Sequence, residues 1–328
     1  MSENKKQQNN DLERRELLKG LATVPVFGLF LVELWRKIRK DTLKKSNILS
    51  GLVQEKSAPA IIKGLSDSKH LNIGVIGYGG RGGHLVRGAG FATTGWTNTV
   101  AENARKNKLD KQFQTFMDQE DLNCSLVGVC DLFDVRAEQG LDASQNEVRP
   151  GGKPKKTATR YRHYKDLLAN DDIDAVIIAT PDHWHSRITI DAAKAGKHVY
   201  CEKGLTRTFQ EAIDVYDVVK ETGITFQLGH QNRQVEANEK AKQIIEQGLL
   251  GKINLVELAT NRNSPWGAWV WGIHPEGNAK TIDWDTFQEP APNKIPFGEE
   301  ALKRFFRWRC WFDYGTGLSG DLLSHDFD

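Results

Sequence analysis

Net charge, cysteine and long apolar runs are all scarce in this sequence. The formal net charge is only +2 although 27% of residues are charged. The chain offers no extended basic field, and no nucleic-acid partner is expected. The four cysteines, Cys124, Cys130, Cys201 and Cys310, lack CxxC spacing. They read as buried thiols rather than as a disulfide frame or a zinc site. His183 and His185 flank Trp184, but two histidines without carboxylates or thiolates at ligand spacing give no reason to expect a metal. The uncharged stretch from Gly20 to Val32 falls short of the ~20 apolar residues a membrane-spanning helix takes.

The sequence around that stretch is informative. Arg14-Arg15-Glu16-Leu17-Leu18-Lys19 precedes it, and Glu33, Trp35 and the basic run Arg36-Lys37-Ile38-Arg39-Lys40 follow. Paired arginines, leucines, a lysine and then a modest apolar run resemble a twin-arginine export signal. No small-residue cleavage site follows directly. The segment therefore reads as an export signal or as a retained anchor attaching residues 14–40 to a membrane, with Trp35 and the basic run at headgroup level. A surface amphipathic helix of a cytoplasmic protein is the alternative. Residues 1–35 are assigned to signal or anchor and 36–70 to a linker. The expected location is periplasmic or membrane-attached.

Residues 71–203 read as a nucleotide-binding domain. Leu71–Ile76 is a short apolar strand, Gly77-Tyr78-Gly79-Gly80-Arg81-Gly82 follows at once, and Gly83-His84-Leu85-Val86-Arg87 opens a helix. A GxGxxG loop between strand and helix is a dinucleotide fingerprint: tight turn, close backbone approach to a pyrophosphate, and helix packed on strand. The free N–H groups at the helix start face the phosphates. A second strand, Ser125–Cys130, ends in Asp131, which can accept from adenosine ribose hydroxyls. The stretch 93–123, an insertion or extended helix, lengthens the usual spacing. Further apolar strands, Asp174–Ala179, His198–Cys201 and Ile224–Gly229, alternate with helices over Ser186–Ala195 and Phe209–Glu221. That alternation predicts an α/β fold with a doubly wound parallel sheet. Ligands bind at the carboxyl ends of such strands. Thr180-Pro181, Glu202 and Lys203 fall there with the glycine loop.

The ordered set of strand–GxGxxG, Thr180-Pro181-Asp182…His185, Glu202-Lys203 and Asp321-Leu322-Leu323-Ser324-His325 resembles the Gfo/Idh/MocA oxidoreductase family over residues 71–328. The resemblance implies a Rossmann domain followed by a substrate and oligomerisation domain built on an open α+β sheet. Residues 204–328 would be the start of that second domain, incomplete at Asp328. It also implies NAD, with NADP as the alternative, a sugar, inositol or related polyol as substrate, and a homo-oligomer when full length. Carried over residue by residue, Lys203, Asp321 and His325 are the catalytic group. Gly77, Gly79, Gly80, Arg81, Gly82, Asp131, Thr180, Pro181, His185 and Glu202 are the cofactor-binding residues. Gly204 stands where the family's Glu-Lys-Pro motif has proline, and Asp182 where many members have asparagine. A glycine at 204 is expected to loosen the turn holding Lys203.

The residue types suit alcohol oxidation, in which a hydroxyl loses a hydride and a proton. A base must reach the proton. His325, with its near-neutral intrinsic pKa, suits that role. Asp321 at i−4 can orient it, and Lys203 can stabilise the alkoxide or act as base. Six of the nine tryptophans, Trp266, Trp269, Trp271, Trp284, Trp308 and Trp311, lie after residue 253, with Arg307 and Arg309 among them. The rings suit the C–H faces of sugars, with the arginines for hydroxyls or acids, or else a core and dimer surface. The sequence thus favours an NAD(P)-dependent oxidoreductase. The alternatives are an NAD-dependent glycosidase working by oxidation, elimination and reduction, and a non-catalytic dinucleotide-binding scaffold.

Overall fold

The computed structural model describes residues 34–40, 42, 70–259 and 267–327. The residues group into two compact units: Met1–Ile61 with Gln234–Val256, and Ile62–Arg233 with Glu257–Asp328. In the first unit, residues 34–40 are helical and exposed, with Arg39 lying over the Trp35 ring at 5.2 Å. A further helix among its described residues, Glu236–Glu246, buries no residue. Among the described residues no helix is long and apolar enough to cross a membrane. The paired arginines and the Gly20–Val32 run lie outside the described residues.

The second unit contains the parallel sheet. Its elements in chain order are β1 (Leu71–Ile76), α1 (Gly80–Gly88), α2 (Thr94–Lys106), α3 (Gln112–Met117), β2 (Cys124–Cys130), α4 (Asp134–Gln145), β3 (Thr159–Tyr161), α5 (Tyr164–Leu168), β4 (Ala175–Ile178), α6 (Asp182–Lys194), β5 (His198–Glu202), α7 (Phe209–Thr222) and β6 (Phe226–Gly229). The six strands are ordered β3-β2-β1-β4-β5-β6, and all pairs are parallel. The chain starts mid-sheet and winds outward both ways, so β1 and β4 flank the switch point where such sheets hold ligands. The stretch 93–123 is two helices packed before β2, which accounts for the long spacing to Asp131.

Burial explains the sequence pattern. All of β2 is buried, as expected of a strand covered on both faces. One apolar layer joins Ile76, Leu167, Ile178, Trp184, Ile188 and Val199. The opposite layer joins Val75, Tyr78, Val86, Phe91, Leu126 and Val129. Gly128 makes room for the first of these layers: a Cβ there would lie 2.9 Å from Ile173 Cδ1. Helix α7 begins at a full capping box, with Thr208 and Glu211 satisfying each other's backbone N–H, and stops at Gly223 with φ 66°.

The sheet continues past residue 203, because β6 pairs with β5 from Val199↔Phe226 to Glu202↔Gly229. Residues 253–258, which resemble a strand in their apolar composition, form none, and Leu255 and Val256 are 74% and 70% exposed. An apolar pattern alone does not make a strand. The cysteines are all free, and Cys124, Cys130 and Cys201 are buried, but Cys310 is exposed.

The chain after residue 267 folds against the carboxyl end of the sheet. Ile282 forms an antiparallel bridge with Phe133, and Asp283 N donates to Leu132 O at 2.9 Å. Helices α8 (Glu236–Glu246, in the first unit), α9 (Trp284–Phe287) and α10 (Glu299–Phe306) precede a π-helical turn, Ser319–Leu323, that runs into α11 (Ser324–Phe327). Phe133, Trp284, Phe287, Phe305, Phe306 and Tyr314 form an aromatic cluster over the β2 end. This cluster ties the later residues to the nucleotide domain.

Candidate active site

A cleft of about 480 Å³ opens at the carboxyl ends of the strands, within the range of small-molecule sites. Its walls include Gly77, Gly79, Gly80, Arg81, Asp131, Arg136, Thr180, Pro181, His185, Glu202, Lys203, Trp271, Trp308 and Arg309. The glycine loop meets the geometric demands of a phosphate cradle. Gly77 has φ 89°, and a Cβ there would lie 2.8 Å from the Ala179 carbonyl. A Cβ on Gly82 would lie 2.0 Å from Gly77 O, so this glycine permits the close approach of helix and strand. Around Gly80 there is open space. Helix α1 starts at Gly79 with no side chain capping it, so its first N–H groups and positive dipole end are left for an anion.

Asp131 is nearly buried, at 7% exposure. Its Oδ2 accepts from Tyr78 N at 2.7 Å and its Oδ1 from Phe133 N at 2.9 Å. Burial raises this carboxyl above the ordinary carboxylate range, opposed by the Arg136 charge and the two backbone N–H groups. Asp131 therefore braces the glycine loop as well as facing the cleft. Arg136 packs against Phe133, Phe305 and Phe306 at 5.7–5.8 Å.

Arg81 reaches from the loop across the cleft to Glu202, with Nε donating to Oε1 at 2.7 Å. It also approaches Gln231 Oε1 at 3.4 Å. Tyr200 hydroxyl donates to the same Glu202 oxygen at 3.2 Å. Glu202 thus ties β5 to the glycine loop. His185, 1% exposed, turns Nε2 to Thr180 O at 2.7 Å and Nδ1 to Gly204 O at 3.0 Å. It clamps the β4 loop to the β5 loop beside Lys203. His183 points elsewhere: its Nε2 donates to Phe287 O at 2.7 Å, and burial pushes its imidazole pKa down to about 3. Among the described residues no group of three or more His, Cys, Asp or Glu converges as metal ligands would.

The sequence-predicted catalytic group comes together from distant parts of the chain. Lys203 Nζ pairs with Asp321 Oδ1. Arg309 Nε donates to the same oxygen at 3.1 Å. Burial acts to raise the Asp321 carboxyl, but Arg309 and Lys203 outweigh it and hold the group below the usual carboxylate range. His325 lies one turn further on, its ring 5.8 Å from that of His230. Burial first, then the nearby Lys203 charge and His230, keep its pKa below the ordinary histidine value. Its Nδ1 is buried and lacks a hydrogen-bond partner. Asp321 and His325 sit on a π-helical turn and the α-helix that follows it, rather than on one regular helix.

Sequence reasoning offered Arg307 and Arg309 as partners for a sugar's hydroxyls or acids, whereas Arg309 here is turned to Asp321. Sequence reasoning missed Thr316, which donates to Asp182 Oδ2 from its backbone N and hydroxyl at 2.9 and 2.7 Å. The only signals available were the Gly-Thr-Gly run at 315–317 and the aspartate at 182. Gly204 does not leave a slack turn. Its missing side chain is the space into which Thr316 packs, since a Cβ there would lie 3.0 Å from Thr316 Oγ1. Trp271 and Trp308 line the cleft, whereas Trp284 is core and Trp266 lies outside the described residues.

Known proteins resemble parts of this chain. The family described as an oxidoreductase family with an NAD-binding Rossmann fold (GFO_IDH_MocA) matches residues 71–230. A levoglucosan dehydrogenase of Pseudarthrobacter phenanthrenivorans is 42% identical over 90 residues, 27% of this chain and 23% of its own. An alpha-N-acetylgalactosaminidase of Shewanella oneidensis is 28% identical over 203 residues, 60% of this chain and 42% of its own. The crystal structure of a myo-inositol 2-dehydrogenase from Lactobacillus plantarum superposes with TM-score 0.42 at 26% identity, covering 56% of this chain and 43% of that one. The chain thus spans less than half the length of each of these relatives. Over residues 71–230, the stretch that carries the parallel sheet and the glycine loop, the chain is similar to the Gfo/Idh/MocA family of NAD-binding Rossmann-fold oxidoreductases.

Proposed function

We propose that the protein transfers a hydride between NAD and a secondary hydroxyl of a sugar, inositol or related polyol. The observation that carries this reading is the Lys203–Asp321–Arg309 group, which lies at the carboxyl end of β5 and shares its cleft with the glycine loop. Bound in the cleft, the dinucleotide would supply the hydride acceptor. The glycine loop and the start of α1 would hold its pyrophosphate, and Asp131 its adenosine ribose. The chain's own residues handle the rest. Lys203 lies where an alkoxide would develop, and its positive charge stabilises it. Asp321 fixes Lys203, and Arg309 holds Asp321 ionised. His325, kept neutral near pH 7 by its lowered pKa, accepts the hydroxyl proton.

The test is to purify the protein, denature it and identify any released dinucleotide and sugar, then to follow NADH formation across a polyol panel. A substrate-dependent rise at the NADH wavelength supports the reading. A second reading, an NAD-dependent glycosidase, draws on the Shewanella relative's name. It predicts aglycone release without net NADH. A protein that retains dinucleotide yet turns over neither substrate class would instead be a scaffold.

We also propose that the Arg14–Lys19 signal and the run after it carry the protein to the periplasm or to the membrane surface, with its dinucleotide loaded before export, and that the full-length protein is a homo-oligomer. Cell fractionation of the wild type and of Arg14→Lys/Arg15→Lys tests the first proposal, since a twin-arginine route fails without the pair. Sedimentation tests the second.

A further inference from the structure

Two departures from the family's motifs, Asp182 and Gly204, meet at one residue, Thr316. Asp182 is 2% exposed, and its Oδ2 accepts both the backbone N–H and the hydroxyl of Thr316. The Thr316 side chain is held in a slot with a glycine on either side. A Cβ on Gly204 would lie 3.0 Å from Thr316 Oγ1 and 3.3 Å from its Cγ2, and a Cβ on Gly320 would lie 2.1 Å from Oγ1. Gly204 directly follows Lys203, and Gly320 directly precedes Asp321. Thr316 is therefore wedged between the backbone that carries Lys203 and the backbone that carries Asp321. Asp182, at the start of α6, fixes the wedge from the β4 side.

We propose that Asp182 and Thr316 are positioning residues that set Lys203 against Asp321, and that Gly204 and Gly320 are required there to admit Thr316. The two hydrogen bonds fix the threonine's depth and rotation. The turn Gly315–Gly317 then fixes where the helical segment with Asp321 and His325 begins. Gly204 is also held from its other side, where His185 Nδ1 faces its carbonyl. A proline at 204 would fill the slot. On this view the glycine is matched to the threonine, and the aspartate to the threonine's two donors. Neither Asp182 nor Thr316 needs to touch the substrate.

The inference rests on the proposed catalytic role of Lys203 and Asp321, so its test includes a readout independent of turnover. Hydrogen exchange of the amides at 318–325 is compared in the wild type, Thr316→Val, Thr316→Ser, Asp182→Ala and Asp182→Asn. Thr316→Val keeps the shape and loses the hydroxyl bond. It should raise exchange about tenfold and lower kcat by a similar factor, while KM for the dinucleotide stays within about twofold. Thr316→Ser, and Asp182→Asn with an oxygen for both donors, should recover most of each loss. If Asp182→Ala fails to fold, the Thr316 pair still decides. Wild-type exchange in Thr316→Val overturns the proposal, as does Asp182→Asn exchanging as fast as Asp182→Ala. If the wild type turns over no polyol but the exchange pattern holds, the positioning role stands and the catalytic reading falls.

Discussion

Replacing Asp321 should cost the fold more than replacing Lys203, although the two form one ion pair. The Asp321 side chain is 5% exposed and that of Lys203 10%, while Arg309, on the same carboxylate oxygen, is 28% exposed. Asp321→Asn leaves two cations facing a neutral amide. Removing one partner of a buried pair costs about 3–5 kcal/mol, and the partial hydration of Arg309 places this case near the low end, about 3 kcal/mol. Lys203→Met keeps most of the aliphatic stem and leaves Asp321 paired with Arg309, so its cost is about 1 kcal/mol. For a folding unit of this size each kcal/mol moves Tm by about 2–4 °C. Asp321→Asn should therefore lower Tm by about 6–12 °C and Lys203→Met by about 2–4 °C. The assay is calorimetry at pH 7 and moderate salt, with the double variant Lys203→Met/Asp321→Leu closing a cycle. Because that double variant removes a charge of each sign, it should be more stable than Asp321→Leu alone. Equal losses for the two single variants, or a loss under about 1 kcal/mol for Asp321→Asn, would refute the shared-carboxylate arrangement.

Other consequences follow from the same geometry. Gly82→Ala, whose Cβ would lie 2.0 Å from Gly77 O, should destabilise by about 1–3 kcal/mol, whereas Gly80→Ala, with nothing within 4 Å, should be neutral or better; equal urea midpoints for the two would contradict this. His183 is held neutral by burial, with a folded pKa of about 3 against an ordinary value of 6.5. The unfolded chain therefore binds the proton first, and stability falls as pH drops from about 6.5 toward 3, by on the order of 4 kcal/mol at the bottom. His183→Phe should flatten that part of the pH–stability curve, and an unchanged slope would show that another group carries it. NAD should bind more tightly than NADP, because a carboxylate at Asp131 repels a 2′-phosphate; tighter NADPH than NADH in a fluorescence titration would point to Arg136 as the dominant group.

The nucleotide half was legible because its physics is local. A parallel strand buried on both faces reads as an unbroken apolar run, and a glycine forced by a backbone approach shows as glycine. Gly77, Gly82, Asp131 and the carboxyl ends of β4 and β5 could therefore be placed from sequence. The strand pattern put Lys203 at the carboxyl end of β5, but Asp321 and His325 were joined to it through the resemblance, since no period or spacing links residue 203 to residue 321. What stayed hidden depends on long-range contact. Thr316 has no motif of its own, and its role appears only when Gly204 and Gly320 close around it. The same holds for Phe287, whose carbonyl accepts from both His183 and Trp184. Residues 253–258 have the apolar composition of a strand yet form none, because composition alone does not supply a pairing partner. The aromatic residues after 267 could be core or sugar wall, and they divide: Trp284 is buried in the core, and Trp271 and Trp308 line the cleft.

The central claim is that Lys203 acts on the substrate in a cleft whose other half binds NAD. NADH titration by fluorescence, paired with NADH formation on a polyol panel, tests it directly in the wild type and Lys203→Ala. The account predicts dinucleotide affinities within about threefold of each other and a rate lower by about 10²–10⁴ in the variant. Wild-type turnover in Lys203→Ala, or a wild type that binds no NADH, would contradict it.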